Sequence, residues 1–227
     1  MLLGAGRGTR LGPLGKRVPK VLVDLGGEPL LARQLRYLGS HGVDHVVVNA
    51  HHLSGQLESW AKRYTGPPTL TVLVEPELLG TAGGTRNALA LLGPEPFVVL
   101  YGDVLVDEPL GPLLAAHRAA RAMATVTVYA SAETEGKGTV AVEKAGRVTA
   151  FVEKGDPGSG PALINAGLYV IEPELLAGLG PGESDFGHDV FPAALAAGRP
   201  LAAYVLSEPV IDVGTPEGLE RARGRVG

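Results

Sequence analysis

Short apolar runs alternate with helical patterns through the first half of this chain, and this alternation limits the folds it can adopt. The leucine repeat over Leu31–Leu38 has helical spacing and predicts a helix from about Pro29 to Ser40. Val46–Val48 and Phe97–Leu100 are short apolar runs, typical of strands that are covered on both faces. Strands alternating with helices form βαβ units, so the sequence predicts an α/β fold with a doubly wound, mostly parallel sheet.

The second half has a different rhythm, with short β-rich pieces and tight turns that predict added antiparallel strands. We expect one domain, with a nucleotide-binding half over 1–122 and a second half over 123–227 that completes a pocket. Further extended segments are predicted at Met1–Leu3, Val21–Leu25, Leu70–Val74, Ala124–Ala130, Gly138–Glu143, Arg147–Glu153 and Leu163–Ile171. Further helices are predicted at Leu53–Tyr64, Gly84–Leu92, Leu110–Arg121, Phe186–Ala197 and Pro216–Arg225, and loops at Ala132–Lys137, Gly155–Pro161 and Gly180–Asp185.

Composition excludes several classes of function. The 227 residues are 45% hydrophobic and 19% charged, which is typical of a folded globular protein with a sizeable core. A net charge of −4 predicts no general attraction to nucleic acid or to an anionic membrane. The absence of cysteine excludes disulfides, thiolate metal sites and cysteine nucleophiles. Without an apolar run of spanning length or a basic leader, the expected location is the cytoplasm.

The most informative motif is the glycine-rich stretch Gly4–Leu11. Three glycines in five residues allow close backbone approach and expose N–H groups to an anion, while Arg10 and Lys20 add positive charge. The dinucleotide fingerprint fails because Thr9 stands where its third glycine is required. A Walker loop fails as well, because Arg10 stands where a glycine must precede Gly15-Lys16. The stretch therefore predicts a different loop, with a polyphosphate as its natural guest.

Two carboxylates follow strand-like segments. Asp103 comes just after the apolar run ending at Leu100, where the carboxyl ends of parallel strands bind ligands, and Gly102 would allow a phosphate or sugar to pass close. Asp212 lies between apolar neighbours just before a helix that opens with Thr215-Pro216 as N-cap and first-turn residue. Together these carboxylates could hold one Mg²⁺, although an isolated Asp at a strand end also serves simply as a turn cap.

Three weaker motifs suggest the rest of a site. Leu79–Gly84 precedes a predicted helix, and its backbone is suited either to a base edge or to an ordinary connection. The dipeptide Glu153-Lys154 offers an acceptor for sugar hydroxyls beside a cation for a phosphate, but it also fits a solvated surface pair. Asn165-Ala166-Gly167 interrupts an apolar strand with an amide that must find partners.

The order of these motifs resembles the sugar-1-phosphate nucleotidyltransferases, and in appearance the mannose- and heptose-1-phosphate guanylyltransferases most of all. The resemblance spans essentially the whole chain. It implies a Rossmann-like domain, dependence on Mg²⁺, and condensation of a nucleoside triphosphate with a sugar 1-phosphate to give a nucleotide sugar and pyrophosphate. It also implies a homodimer, although no surface pattern here indicates one, and the chain is expected to have no C-terminal β-helix domain.

The resemblance also implies a role for each matching residue. Arg10, Lys20 and Asp103 would be catalytic, and Asp103 with Asp212 would bind the metal. The nucleotide would contact Leu3, Gly4, Ala5, Gly6, Gly8, Thr9, Arg10, Lys20, Glu75, Gly80, Thr81, Gly83 and Gly102. The sugar phosphate would contact Gly102, Glu153, Lys154, Asn165 and Gly167.

The base and the sugar stay open on the sequence alone. Glu75 favours GTP, because a carboxylate can accept the N–H donors of guanine, whereas the thymidylyl and uridylyl branch usually has Gln near this position. The alternative is a uridylyl- or thymidylyltransferase acting on a glucose, N-acetylhexosamine or muramate 1-phosphate. An alternative of another class is a non-catalytic sugar-nucleotide sensor or regulatory subunit, but such relatives typically lose the charged residues retained here.

Overall fold

The computed structural model describes residues 1–152 and 162–226 of the chain. They belong to two compact units, which are described separately. Unit 1 comprises Met1–Leu78, Leu100–Asp107 and Val210–Gly227, and unit 2 comprises Leu79–Val99 and Glu108–Pro209. The part of the chain that the structure describes contains no helix long and apolar enough to cross a membrane.

The regular elements of the described residues follow in chain order. The strands are β1 (Leu2–Leu3), β2 (His45–Ala50), β3 (Thr69–Val74), β4 (Phe97–Tyr101), β5 (Val104–Leu105), β6 (Ala124–Ser131), β7 (Thr139–Val142), β8 (Val148–Val152), β9 (Ala162–Ile171), β10 (Leu201–Val205) and β11 (Ile211–Asp212). The helices are α1 (Leu30–Ser40), α2 (Ser54–Ala61), α3 (Gly80–Asn87), α4 (Leu89–Leu92), α5 (Leu110–Ala120), α6 (Phe191–Ala196) and α7 (Pro216–Val226).

Unit 1 contains a parallel sheet in the order β4-β1-β2-β3, with β4 entering it through its carboxyl end. Strand β1 has two residues but pairs on both sides, with Leu2 opposite Val48 and Leu100, and this explains why Leu2 is fully buried. A separate antiparallel pair joins β5 to β11. The strand ends of unit 1 therefore collect chain segments that are far apart in sequence.

An apolar cluster in unit 1 anchors the residues next to the predicted site. It contains Leu11, Leu105, Val213 and Leu219, all nearly inaccessible to solvent. Each of the first three lies within two positions of a charged residue that the sequence singled out. Burying one side chain of each such segment fixes the backbone that carries the neighbouring charged residue.

In unit 2 the order β10-β6-β9 combines a parallel pair, β10 with β6, and an antiparallel pair, β6 with β9. Strands β7 and β8 pair antiparallel, and β7 also pairs with β9. Aromatic rings fill the core: Tyr169 packs edge-on against both Phe186 and Phe191. The expected α/β class is confirmed, as are the mostly parallel strands early in the chain and the antiparallel strands added later.

The predicted extended segment Val21–Leu25 is wrong. Lys20–Leu22 form a 3₁₀ turn, and the only strand-like pairing here among the described residues is a single bridge between Asp24 and Pro29. Val21 and Val23 are each only 1% exposed, so the apolar pattern is satisfied by burial from a turn. Apolar content alone does not distinguish the two conformations.

The predicted start of the helix over Gly84–Leu92 is also wrong, because α3 begins at Gly80 and the helical stretch breaks at Ala88 before α4. The first turn of α3 packs directly on the backbone of residues 182–184, where a side chain at Gly83 would lie 2.6 Å from the Gly182 oxygen. Glycine is therefore used here for close packing, a purpose that a helix-propensity argument does not anticipate.

Strand β10 was not predicted. Its sequence Leu-Ala-Ala-Tyr-Val carries two alanines and lacks a clear alternation, so its β-propensity is low. It forms because it runs parallel to β6 in continuous register, with Leu201 opposite Ala124. The predicted helix over Phe186–Ala197 occurs, but its first part is a π-helical turn, Phe186–Val190. The predicted loops Ala132–Lys137 and Gly180–Asp185 are confirmed, whereas Gly155–Pro161 lies outside the described residues.

Candidate active site

Four charged side chains from separate segments of unit 1 lie together. The Lys20 ammonium contacts Oδ2 of Asp103, and Arg10 bridges the two carboxylates, with Nη2 3.7 Å from Asp103 Oδ2 and Nη1 3.1 Å from Asp212 Oδ2. The side chains of Lys20 and Asp103 are only 15% and 17% exposed, whereas those of Arg10 and Asp212 are 57% and 45% exposed. The ion cluster thus has a largely buried pair at its base and an open pair facing solvent.

Two backbone hydrogen bonds hold the turn that carries Asp103, one at the preceding residue and one at its own carbonyl. The Gly102 N–H donates to the Leu3 carbonyl at 2.9 Å, and the Val213 N–H donates to the Asp103 carbonyl at 2.7 Å. A side chain at Gly102 would lie 2.5 Å from the Leu3 oxygen and 2.6 Å from a Val21 methyl carbon. Packing of the protein itself therefore requires glycine at position 102, apart from any ligand that passes it.

Asp212 is placed by β11 and by the turn that follows it. Its Oδ1 accepts a 2.6 Å hydrogen bond from the Gly214 N–H, and a side chain at Gly214 would lie within 3 Å of the cationic groups of Arg10 and Lys20. The predicted cap of the next helix is confirmed, because Thr215 Oγ1 accepts from the Gly218 N–H at 3.0 Å. The absence of a side chain at Gly214 makes room for the ion cluster.

The donor set fits a hard divalent cation that retains water. The carboxylates of Asp103 and Asp212 both lie within 4 Å of the Arg10 guanidinium, so they converge on one region. Across residues 1–152 and 162–226 no group of three or more Asp, Glu, His or Cys residues is arranged to hold a metal. Mg²⁺ suits such a limited set, because it usually binds one or two carboxylates together with waters and substrate phosphates.

The glycine-rich loop presents free backbone donors. Among the described residues, no acceptor is found for the N–H groups of residues 5–8, whereas the Leu11 N–H donates to the Gly8 carbonyl and closes a 3₁₀ turn over Thr9–Leu11. Gly8 adopts a left-handed conformation with φ 63°, which favours glycine. Leu3 ends β1 and Ala5 lies in the loop that follows, where it is only 7% exposed. Four successive N–H groups that have no acceptor in the described part of the chain are suited to binding an anion.

Gly6 differs from the other glycines at the start of this loop. At Gly4 a side chain would lie 2.8 Å from the Asn49 carbonyl oxygen and 2.9 Å from a methyl carbon of Val48. At Gly6 nothing lies within 4 Å of the corresponding position. Gly6 is exposed, as are Thr9 and Arg10. Packing within the protein thus requires glycine at position 4. At Gly6 it leaves open space that is available to an approaching ligand.

A buried hydrogen-bond chain fixes the start of the loop. The Gly4 N–H donates to Asn49 Oδ1 at 2.8 Å, and Asn49 Nδ2 donates to Glu75 Oε1 at 2.8 Å. Asn49 and Glu75 are only 2% and 1% exposed. Sequence reasoning missed Asn49, although a polar residue directly after the buried run Val46–Val48 was a signal that could have found it. One oxygen of Glu75, predicted to contact the base, is thus engaged by a residue that supports the loop.

In unit 2 the residues Gly80, Thr81 and Gly83 lie in the first turn of α3. The Thr81 N–H donates to Asp185 Oδ1 at 2.9 Å, and the Gly83 N–H donates to the Ser184 carbonyl at 3.0 Å. A side chain at Gly80 would lie 2.5 Å from that same carbonyl. These contacts tie α3 to the loop before the π-helical turn. Their predicted contact with a nucleotide stays a prediction.

Asn165 and Gly167 shape an irregularity in β9. Asn165 Nδ2 donates to the Tyr169 hydroxyl at 2.7 Å, and its Oδ1 accepts from the Gly167 N–H at 3.1 Å. Gly167 has φ 74°, and the register with β6 shifts between Val126 and Val128. Strand β9 is continuous through this irregularity, and the prediction that the Asn165 amide must find partners is confirmed. Two further predicted sugar-phosphate contacts, Glu153 and Lys154, lie outside the described residues.

Comparison with known proteins agrees with this fold. The family model described as Nucleotidyl transferase matches residues 1–226. A probable mannose-1-phosphate guanylyltransferase 2 from Arabidopsis thaliana is 35% identical over 95% of this chain and 61% of its own length. A UTP–glucose-1-phosphate uridylyltransferase from Synechocystis is 30% identical over 99% of this chain and 62% of its own length. The chain thus spans about three-fifths of the length of these curated relatives.

The crystal structure of HddC from Yersinia pseudotuberculosis complexed with GMP-PN shares the fold. Its TM-score is 0.86 at 24% identity, over 100% of this chain and 98% of that one. The chain belongs to the nucleotidyl transferase family. The family recognised from the order of the sequence motifs is thereby confirmed, together with the Rossmann-like architecture.

Proposed function

We propose that this chain transfers a nucleotidyl group from a nucleoside triphosphate to a sugar 1-phosphate, releasing pyrophosphate. The observation that carries the proposal is the ion cluster of Arg10, Lys20, Asp103 and Asp212 beside a loop with free N–H groups. A triphosphate needs cations and amide donors, and its metal needs carboxylates. The cluster provides the cations and the carboxylates, and the loop provides the amide donors, all within unit 1.

The reaction requires positioning more than acid–base chemistry. An oxygen of the sugar phosphate, already anionic at neutral pH, attacks the α-phosphorus. The bond between that phosphorus and the bridging oxygen to the β-phosphate breaks, and pyrophosphate leaves with the electron pair. The protein must align two polyanions and reduce their repulsion. Arg10 and Lys20 supply permanent positive charge, and the free amides of residues 5–8 orient the phosphates without a counter-ion.

Asp103 and Asp212 are the residues that would hold Mg²⁺. When bound, the ion would neutralise charge on the phosphates and favour departure of pyrophosphate. In the arrangement described here the two carboxylates are paired with Lys20 and Arg10. A metal–triphosphate complex offers each group an alternative partner of opposite charge, because the carboxylates can face the metal and the cations can face the phosphates. The cluster is therefore suited to exchange its internal ion pairs for substrate contacts.

GTP with a mannose- or heptose-type 1-phosphate is the proposed substrate pair. The similarity to proteins named as mannose-1-phosphate guanylyltransferases supports this choice. The uridylyltransferase relative supports the alternative, a uridylyl or thymidylyl transfer to a glucose-type 1-phosphate. One oxygen of Glu75 already accepts a hydrogen bond from Asn49. The choice of GTP therefore depends on the named relatives more than on this carboxylate. Cytoplasmic location and a homodimer remain predictions.

A pyrophosphate-release assay tests the proposal. Five nucleoside triphosphates are combined with a panel of sugar 1-phosphates, with Mg²⁺ and with EDTA, and the nucleotide sugar is identified by mass. We expect release with at least one pair, fastest with GTP, and none in EDTA. Binding of nucleotide sugars without release from any pair would support the sensor alternative. Asp103→Asn, which keeps the size of the side chain, should abolish release without unfolding the protein.

A further inference from the structure

A single buried amide spans the turn that carries Asp103. Gln34 lies in the middle of α1, and its Nε2 donates to the Tyr101 carbonyl at 3.0 Å and to the Val104 carbonyl at 2.8 Å. These carbonyls lie on the two sides of the Gly102-Asp103 dipeptide. Both hydrogens of one NH₂ group are therefore used to hold the beginning and the end of the same turn.

The position of Gln34 is unusual for a polar side chain. It is 3% exposed and lies on the buried face of α1 with Leu31, Leu35 and Leu38. Its Oε1 is buried and has no hydrogen-bond partner within the described part of the chain. A buried acceptor without a partner costs free energy, and an apolar side chain of similar size would avoid that cost. The benefit of glutamine at this position is therefore the two hydrogen bonds that its Nε2 donates.

We infer that Gln34 is a positioning residue for the Asp103 carboxylate, acting through the backbone on both sides of it. This inference rests on the proposed function, in which Asp103 helps to hold the metal. The turn is fixed on three sides: by β1 through the Gly102 N–H, by the residue after β11 through the Val213 N–H, and by α1 through Gln34. Of these three, only the α1 contact is made by a side chain, so it alone can be removed by substitution without altering a strand.

Supporting groups of this kind set how well a ligand is oriented. A carboxylate on a short turn can rotate if its flanking peptides move, and the ion cluster requires Asp103 to meet both Lys20 and Arg10. Residues that orient metal ligands typically contribute 10- to 100-fold to metal affinity when removed. Sequence reasoning missed Gln34, although a glutamine within a leucine repeat was visible at positions 31–38.

Gln34→Met tests the inference, because it keeps the length of the side chain and removes both donors. Leu35→Met, on the same buried face, is the matched control. The first readout is amide hydrogen exchange, which requires no substrate. We expect faster exchange at the Gly102 and Val213 amides in Gln34→Met, with the amides within the strands unchanged, and no such change in Leu35→Met. Unchanged exchange at these two amides would overturn the inference.

The second readout is Mn²⁺ binding, followed by electron paramagnetic resonance in the presence of GTP. Gln34→Met is expected to lower the affinity for Mn²⁺ about 10- to 100-fold. It should also raise the Mg²⁺ concentration needed for half-maximal rate, with a smaller effect on the KM for the sugar phosphate. A loosened turn with unaltered Mn²⁺ affinity would also contradict a positioning role. If wild-type protein neither binds Mn²⁺ nor releases pyrophosphate, the proposed function fails, and hydrogen exchange still decides whether Gln34 holds the turn.

Discussion

Lys20 and Asp103, which are 83 positions apart, form the most buried ion pair of the candidate site. Lys20 belongs to a 3₁₀ turn and Asp103 to the turn after β4, so the pair joins two separate segments of the candidate site. Its limited exposure strengthens the attraction relative to a surface pair, and it leaves either charge poorly compensated when the other is removed.

Lys20→Ala is expected to lower turnover by about 100-fold or more, because a preorganised positive charge next to the phosphates is lost. Steady-state pyrophosphate release measures this effect, and circular dichroism checks the fold. The control is Lys16→Ala, which removes an exposed lysine four positions away. Activity near that of the wild type in both Lys20→Ala and Asp103→Ala would refute the assignment of these residues to catalysis.

Gly6→Ala should weaken nucleotide binding about tenfold or more while changing the free energy of unfolding by less than about 0.5 kcal/mol. The reason is that a methyl group at Gly6 meets open space in the protein but occupies the approach of a ligand. Calorimetric titration with a nucleoside triphosphate and urea unfolding measure the two quantities.

Gly4→Ala provides the contrasting variant. Its methyl group would lie 2.8 Å from the Asn49 carbonyl oxygen, so overpacking should destabilise the fold by about 1–3 kcal/mol. A stable Gly4→Ala protein would contradict the close packing of the loop against Asn49, and a Gly6→Ala protein that binds nucleotide as tightly as the wild type would contradict the approach of a ligand at Gly6.

Asn49→Leu should destabilise the protein by about 2–4 kcal/mol, because it leaves the Gly4 N–H and the Glu75 carboxylate buried without the amide that links them. We also expect a higher KM for the nucleotide, because the beginning of the glycine loop is no longer fixed. Urea unfolding and initial rates measure both effects. Asn87→Leu, an exposed asparagine in α3, serves as the control. Equal stability of the two variants would exclude a structural role for the Asn49 bridge.

Glu28 should make stability depend on pH in the acidic range. The hydrogen bond from Arg36 holds the pKa of Glu28 below its usual value of 4.5; burial opposes this shift, and the charges of Arg36 and Arg33 add to it. A lowered pKa in the folded state stabilises the fold above the pKa of the unfolded chain, and this contribution disappears as pH falls through the folded pKa.

Glu28→Gln should therefore be less stable than the wild type at neutral pH and should approach it between about pH 5 and pH 3. The difference at neutral pH is expected to be below about 1 kcal/mol, because Arg36 is largely exposed and its charge is screened. Urea unfolding at several pH values measures it, with Glu95→Gln, an exposed glutamate, as the control. A difference between Glu28→Gln and wild type that does not vary with pH would refute the role of the carboxylate charge.

Local sequence signals accounted for much of the fold, because the helix and strand periodicities in α1, β2 and β9 agree with the burial that the structure imposes. They failed where long-range packing decides the local conformation. The glycines that begin α3 were interpreted as a connection, because their pattern does not show that the backbone of residues 182–184 packs against them. The alanine-rich β10 was overlooked, because its pattern does not show that it pairs with β6.

The candidate site shows the same division. Arg10, Lys20, Asp103 and Asp212 were identifiable from motif order, and the structure brings them together. Asn49 and Gln34 were not identified, since each acts through a contact with a distant segment: Asn49 with Gly4 and Glu75, and Gln34 with the Asp103 turn. A polar residue within a buried apolar pattern is the sequence signal that such contacts leave.

Unit 1 is assembled from three stretches of chain that are interrupted by unit 2. The loop and Lys20 come from the first stretch, Asp103 from the second and Asp212 from the third. During synthesis on a ribosome, the glycine loop therefore emerges long before its charge partners, and the ion cluster cannot close until the last stretch has left the exit tunnel. The growing chain therefore cannot form the complete ion cluster until Asp212 has been translated and has left the ribosome.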